Sequence, residues 1–421
     1  MENTLEHDYP LWNKLEGKEQ QFLFNLFEEN HFTYQQKRLL IEAARDLALW
    51  QEPRFSELWS EEAVKGKTGK AKSRALIREF QKKMEALKSH PTDYSTFNPS
   101  QNRPKKMVTT REFTSERLLG RCPCPPEAEV LRCCNLLTLD AVQQCGFGCS
   151  YCSIQAFYHD EVLFSENLNE RLKSLQLPVG TWHIGTGQSS DSLMWGNQYG
   201  VMDALKEFAT SHEEIVLEMK SKSSRTDWLA EVTFPQNVVF TWSLNAPTII
   251  AKEEHLSASL EKRIAAARRV ADEGYLVGFH LHPLVHFTHW REEYREVVTA
   301  IVDNFLPSEV VMVSLGTLTF TKEVLKQLRA SDVPSRILQM QLSETFGKYS
   351  YPFELKKELF SYTYHLFPPL WRDSQEVFFY LCMEDPLLWQ PVLGHAYHDN
   401  ATFEAAMRRH YLTKVQQAID N

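Results

Sequence analysis

The chain is 421 residues long, 43% hydrophobic, and carries a formal charge of −9. That length and apolar content exclude a disordered chain, and the negative balance excludes a protein that coats nucleic acid over its whole surface, though it leaves room for a local basic groove. No run of about 18 apolar residues occurs, and the start, Met1-Glu-Asn-Thr-Leu-Glu-His-Asp, lacks the apolar core of an export signal, so a cytoplasmic location without membrane contact is expected.

Residues 10–86 read as helical. Runs such as Glu19-Gln-Gln-Phe-Leu-Phe-Asn-Leu-Phe and Gln36 to Trp50 place apolar side chains at three- and four-residue spacing. Within this stretch, Lys65-Gly-Lys-Thr-Gly-Lys-Ala-Lys-Ser-Arg74 is basic, but Glu61 stands where a phosphate-binding P-loop needs its first glycine, so a solvated helix lead-in is expected. From Ser89 to Arg121 the chain turns polar, with Pro91, Pro99 and Pro104, and reads as a linker.

Six apolar strand-like runs follow, at 135–142, 181–185, 214–220, 238–244, 276–282 and 310–315, with helices between them. The helix opening at Leu260 ends at Gly274, a C-cap signal. Alternation of this kind predicts an α/β fold, a partial parallel (β/α)6 barrel of TIM type, with a helical N-terminal appendage and a small C-terminal α+β region. The expected boundaries are 1–88 for the helical region, 89–130 for the linker and a cysteine-containing lead-in, 131–345 for the barrel and 346–421 for the C-terminal region. Phe360, Tyr362, Tyr364, Phe367, Trp371 and Trp389 make the last region aromatic-rich; packing accounts for most of them, although aromatics also stack on bases.

The chemistry is concentrated in Cys145-Gly-Phe-Gly-Cys149-Ser-Tyr-Cys152. Eight cysteines in a reducing compartment are thiols and metal ligands before they are disulfides. A zinc knuckle asks for a fourth Cys or His at matching spacing. Three thiolates with C-x3-C-x2-C spacing hold three irons of a four-iron cluster and leave the fourth open, where a cluster merely structural in role takes four cysteines. Gly146 and Gly148 suit a loop wrapped closely round inorganic sulfide.

Cys122, Cys124, Cys133 and Cys134 lie upstream at a spacing that matches neither a zinc ribbon nor a ferredoxin run; they read as ordinary thiols, with an auxiliary metal as the alternative. Cys382 sits in an apolar strand-like run as a packed thiol or a mobile hydrogen donor. His280, His282, His286 and His289 form a cluster in which His280 and His282 share one strand face, as hydrogen-bonded imidazoles of a barrel mouth or, alternatively, ligands of a second metal.

The cysteine spacing, with Tyr151 before its last member, resembles the radical S-adenosylmethionine (SAM) enzymes. In order, Tyr151-Cys-Ser-Ile-Gln155, Ser189-Ser-Asp191, Trp242-Ser-Leu-Asn245, Ser259-Leu-Glu-Lys-Arg263, Gly274-Tyr-Leu-Val-Gly278-Phe279, Trp290-Arg-Glu-Glu-Tyr294 and Gly347-Lys-Tyr349 resemble motifs of the spore photoproduct lyase family. That resemblance implies a [4Fe-4S] cluster on Cys145, Cys149 and Cys152, SAM as its partner, cleavage to a 5′-deoxyadenosyl radical, and an external electron donor of flavodoxin or ferredoxin type. It implies a SAM site of Tyr151, Gly185, Gly187, Ser190, Asp191, Lys220, Ser243 and Asn245, with Asp191 on the ribose and Lys220 on the carboxylate. DNA is the implied substrate class.

Two departures argue against the family's own hydrogen relay. Gln188 and Ser153 stand where it has a cysteine and a tyrosine. Separately, Thr319-Phe320-Thr321-Lys322 lacks the arginine that the family uses in DNA handling. The candidate catalytic positions are therefore Tyr151, Gln188 and Cys382. The rival readings are a radical SAM enzyme modifying a peptide or tRNA, and a noncatalytic nucleic-acid-binding protein with a structural cluster.

Overall fold

A computed structural model describes residues 2–99, 110–113, 117–122, 130–152 and 161–420. It divides into two units: Met1–Pro104 with His286–Thr288 and Thr319–Tyr351, and Lys105–Val285 with His289–Leu318 and Pro352–Asn421.

The first unit is mainly helical. Its helices Gly17–Glu29, Tyr34–Trp50 and Gly69–Lys88 lie in the stretch read as helical, and the basic run leads into the third. Thr33 and Gln36 close a capping box at the start of the second helix, satisfying two otherwise orphaned N–H groups. Farther along, Asp46 takes Arg329 at 2.9 Å, and a small antiparallel sheet joins Thr319–Phe320, Lys348–Ser350 and Ser343–Thr345.

The second unit holds the main sheet of eight strands: β1 (Leu119–Arg121), β2 (Leu137–Leu139), β3 (His183–Thr186), β4 (Val216–Ser221), β5 (Val238–Leu244), β6 (Val277–Leu284), β7 (Val310–Thr317) and β8 (Phe378–Leu381). Their spatial order is β8-β7-β6-β5-β4-β3-β2-β1, and every pair is parallel except β1 with β2. The six runs read from the sequence are β2 to β7, neighbours in that same order, so the partial parallel barrel is borne out. The C-terminal region adds β8, one parallel strand more. The supposed linker contributes β1 and a strand at Thr110–Phe113, which pairs with Val162–Ser165.

These strands are near-continuous apolar runs because helices cover one face while the other lines the barrel. β5 and β7 are buried along their whole length. Each fully buried Val, Leu, Ile or Phe contributes about 1.5–3 kcal/mol, which is what holds polar side chains on the inner face at fixed positions. The curl brings the run before β2 against the end of β8. Arg132 N–H donates to Glu384 O at 2.9 Å, and the Arg132 guanidinium reaches the carbonyls of Tyr397 and His398. The Glu384 carboxylate is held by Lys356 at 2.6 Å and Thr317 at 2.8 Å.

Among the aromatics singled out in the C-terminal region, Phe360, Tyr364, Phe367, Trp371 and Trp389 are buried, and Phe367 and Tyr364 pack edge-on against Phe379. No described helix is long and apolar enough to cross a membrane.

Candidate active site at the barrel mouth

The cysteine loop is held from two sides at the C-terminal ends of the strands, the face where parallel barrels place their sites. On one side, Gln144 N–H donates to Ser189 O at 2.8 Å and Ser190 Oγ donates back to Gln144 O at 2.5 Å, fixing the loop to the turn after β3. On the other, Ser150 N–H donates to Glu253 O at 2.8 Å, Leu256 N–H to Phe147 O at 3.2 Å, and Ser150 Oγ meets His255 Nε2 at 2.9 Å. Gly148 has φ +63°, a left-handed conformation that glycine adopts without strain.

Cys149 is buried, while Cys145 and Cys152 are half-buried. Burial pushes the Cys145 thiol well up, with Asp191 and the two other thiols adding to it, and pushes Cys149 up to about 12 against the pull of Lys222. Buried thiols of this kind need a metal or cation to take the charge of the thiolate. Three thiols on one loop, with an ammonium 3.9 Å from the central sulfur, fit a three-cysteine iron–sulfur cluster. Among the described residues no three His, Cys, Asp or Glu side chains form a site for a single metal ion; Cys124 lies outside the described residues.

Asp191 is buried. Its carboxylate accepts from the backbone N–H groups of Leu193, Met194 and Lys222 and from Ser221 Oγ, at 2.7–3.0 Å. Asn245 is spent: its amide donates to Pro283 O at 3.0 Å, and its oxygen accepts from Ala246 N–H and Tyr294 Oη. Both brace the turns of the mouth, and Asp191 Oδ2, which among the described residues accepts only from Lys222 N–H, keeps room for one further donor. Ser190 serves the loop, and Trp195 Nε1 donates to it at 3.2 Å.

Gly187 has φ +82°, and a Cβ there would stand 2.7 Å from Lys220 O; at Gly185 a Cβ would stand 2.9 Å from Leu136. Ser243 is buried on β5, and its carbonyl accepts from Arg263 at 2.8 Å. Gln188 is half-buried in the turn after β3. Cys382 follows β8, with its N–H on Leu315 O at 2.7 Å, and burial pushes its thiol up to about 12. No described contact joins Gln188, Cys382 and Tyr151. Ser153 and Gln155 lie outside the described residues.

Lys220 and Lys222, two residues apart, are both partly exposed. Burial, with Lys220 adding to it, lowers the basicity of His280 and His282. Lys222 instead meets the cysteine loop: its Nζ donates to Tyr151 Oη at 2.6 Å, lies 3.0 Å from Glu254 Oε1 and sits over the Tyr151 ring at 4.7 Å. Tyr151 Oη in turn donates to Glu254. Glu254 is held by Arg263 Nη2 at 2.5 Å, and Arg263 is pinned by the carbonyls of Ala258 and Ser243 and by Ser257 Oγ. The two cations keep the Glu254 carboxyl far below its ordinary range despite burial. Lys222 and Glu254 were missed in the sequence, where no local pattern sets them apart.

Deeper in the barrel, Glu218 on β4 accepts from His183 Nε2 at 3.0 Å, His280 Nε2 at 2.7 Å and Thr241 Oγ1 at 2.9 Å, and Ser314 Oγ meets His280 Nδ1 at 2.6 Å. Burial and Lys220 push His280 down to about 4, so a neutral imidazole donates to an ionised Glu218. The neighbouring His183 Nδ1 and Tyr411 hydroxyl are buried with no hydrogen-bond partner among the described residues. His286 and His289 lie beyond β6, His289 at the start of helix Trp290–Asn304.

Strand order and cysteine loop define the class: a parallel half-barrel with a three-thiol loop at its C-terminal mouth. Within that class the chain is similar to the spore photoproduct lyases. The family model described as spore photoproduct lyase matches residues 186–360, beginning after the cysteine loop. The chain is 30% identical over 82 residues to spore photoproduct lyase of Clostridium acetobutylicum, covering 20% of this chain and 24% of that protein. To the Bacillus subtilis protein it is 29% identical over 167 residues, or 36% and 48%. It thus spans from about a quarter to about half of the length of these curated relatives. The solved spore photoproduct lyase complexed with dinucleoside spore photoproduct superposes with a TM-score of 0.52 at 20% identity, covering 68% of this chain and 89% of that one. A mutant with AdoMet and dinucleoside spore photoproduct bound gives 0.51 at 18%, covering 72% and 94%. At these identities the solved structures establish the shared fold.

Proposed function

We propose that this chain is a radical SAM enzyme of the spore photoproduct lyase type. Cys145, Cys149 and Cys152 would hold a [4Fe-4S] cluster, which when bound supplies the electron that splits SAM into methionine and a 5′-deoxyadenosyl radical. The observation that carries the reading is the loop itself: three thiols clamped at the barrel mouth, with the Lys222 ammonium against the central one.

Of the two lysines near the end of β4, Lys222 is the one against the loop, so it takes the carboxylate role that the sequence pattern assigned to Lys220. Lys220 acts lower in the barrel, beside His280, His282 and Cys382. Asp191 and Asn245 act by bracing turns. Gly187 leaves the backbone beside Lys220 O open to close approach by the methionine portion, and Ser243 adds a polar contact. A lesion in nucleic acid is the substrate class that the named relatives suggest, with an external one-electron donor of flavodoxin or ferredoxin type. Gln188 in place of a thiol speaks against the relatives' hydrogen relay, because glutamine N–H bonds do not yield hydrogen to a carbon radical; Tyr151 and Cys382 are the side chains with weaker X–H bonds.

The test is anaerobic reconstitution followed by reduction in the presence of SAM. We expect release of 5′-deoxyadenosine, abolished by Cys149→Ala. Full release in that variant, or a reconstituted protein that leaves SAM intact, would overturn the reading. Dinucleoside spore photoproduct and undamaged DNA, supplied in parallel, decide the substrate class.

A further inference from the structure

We infer that Glu254 is a positioning residue for Lys222, and that Arg263 behind it preserves the positive charge of the site. This rests on the functional reading above. The two oxygens of Glu254 face different ways. Oε2 is anchored to Arg263, itself fully buried and fixed by two backbone carbonyls and Ser257. Oε1 faces Lys222, Tyr151 and, at 3.4 Å, Asn245 Nδ2. An ammonium has three donor directions. Glu254 Oε1 at 3.0 Å and Tyr151 Oη at 2.6 Å take two of them and turn the third toward the cysteine loop, where Cys149 Sγ lies 3.9 Å away, so a long and flexible side chain has one placement and keeps a donor at the loop.

Charge explains why the anchor is an arginine. A carboxylate alone beside Lys222 would neutralise it and cancel its attraction for an incoming carboxylate. Arg263 offsets Glu254, so the trio keeps one net positive charge, and that charge sits on the ammonium that faces the cysteine loop. Glu254 thereby orients Lys222 without quenching it. A glutamate that served only to tie the loop to the 253–258 segment would contribute whether or not Lys222 were present.

Calorimetric titration of SAM into the anaerobically reconstituted full chain separates the two roles through a double-mutant cycle of Lys222→Met and Glu254→Ala. Each single substitution is expected to weaken SAM binding by about tenfold, and the double variant to bind no more weakly than Lys222→Met alone. Iron content and the melting temperature of the cluster-free protein give readouts that do not depend on activity. If Glu254→Ala loses iron, Glu254→Gln, which keeps an acceptor for Arg263, carries the same cycle. Losses that multiply in the double variant, or SAM binding by the Glu254 variants equal to or tighter than that of the unsubstituted protein, would overturn the inference and leave the enzyme reading standing. An unsubstituted protein that takes up the cluster and fails to bind SAM would overturn both.

Discussion

Two buried glutamates in the same barrel are neutralised in opposite ways. At the mouth, Glu254 is met by a guanidinium, an ammonium and a phenol; one layer down, Glu218 is met by two imidazoles and a hydroxyl. The first network is permanently charged, because arginine and lysine do not titrate near neutrality. In the second, burial holds His280 neutral, and it becomes a cation only in acid. The mouth therefore keeps its charges, while the layer beneath changes charge as pH falls towards about 4.

The strongest way to break the contrast is to remove one cation at the mouth. Arg263→Met leaves Glu254 with an uncompensated charge in a buried site, and the expected loss is about 3–5 kcal/mol in denaturant unfolding. A loss under about 1 kcal/mol would mean that Lys222 alone suffices.

Acid probes the deeper layer. The folded pKa of His280 is about 4, below its unfolded value of 6.5, so between those values the unfolded chain binds more protons. Stability then rises with pH across that window and is lost as pH falls from 6.5 towards about 4, by up to about 3 kcal/mol. His280→Gln should flatten this slope in unfolding measured at a series of pH values; an unchanged slope would place the acid sensitivity elsewhere.

Ser314→Ala is the mildest change. It removes the hydroxyl from His280 Nδ1 and should cost about 1 kcal/mol, read as a small drop in melting temperature with the mouth network intact.

The sequence revealed the frame of the molecule better than its electrostatics. β2 to β7 were legible because strands buried on both faces write continuous apolar runs, and β1 was not, because Leu119-Gly-Arg121 is short and polar and takes its strand form from pairing with β2. The cysteine loop was legible because its three cysteines lie within eight residues. Lys220 and Lys222 show the limit: side chains two apart on a strand share a face, so the spacing that marks both as candidates cannot say which one meets the loop. Glu254 and Arg263 lie about a hundred residues beyond the cysteines, and only the return of the chain after β5 brings them under the loop. The hydrogen bonds that occupy Asp191 and Asn245 were equally hidden, since a residue type announces what it can bind and not what already binds it.

The contact between Arg132 and Glu384 bears on how the protein behaves in concentrated solution. A half-open sheet ordinarily presents strand rims whose unpaired amides and carbonyls template pairing with other chains. Here the run before β2 and the run after β8 each supply a hydrogen-bonding partner to the other, and the guanidinium of Arg132 covers two further carbonyls. A sheet that stops short of a closed ring thus gains, from one clasp, part of the resistance to edge-on aggregation that a full barrel has by geometry.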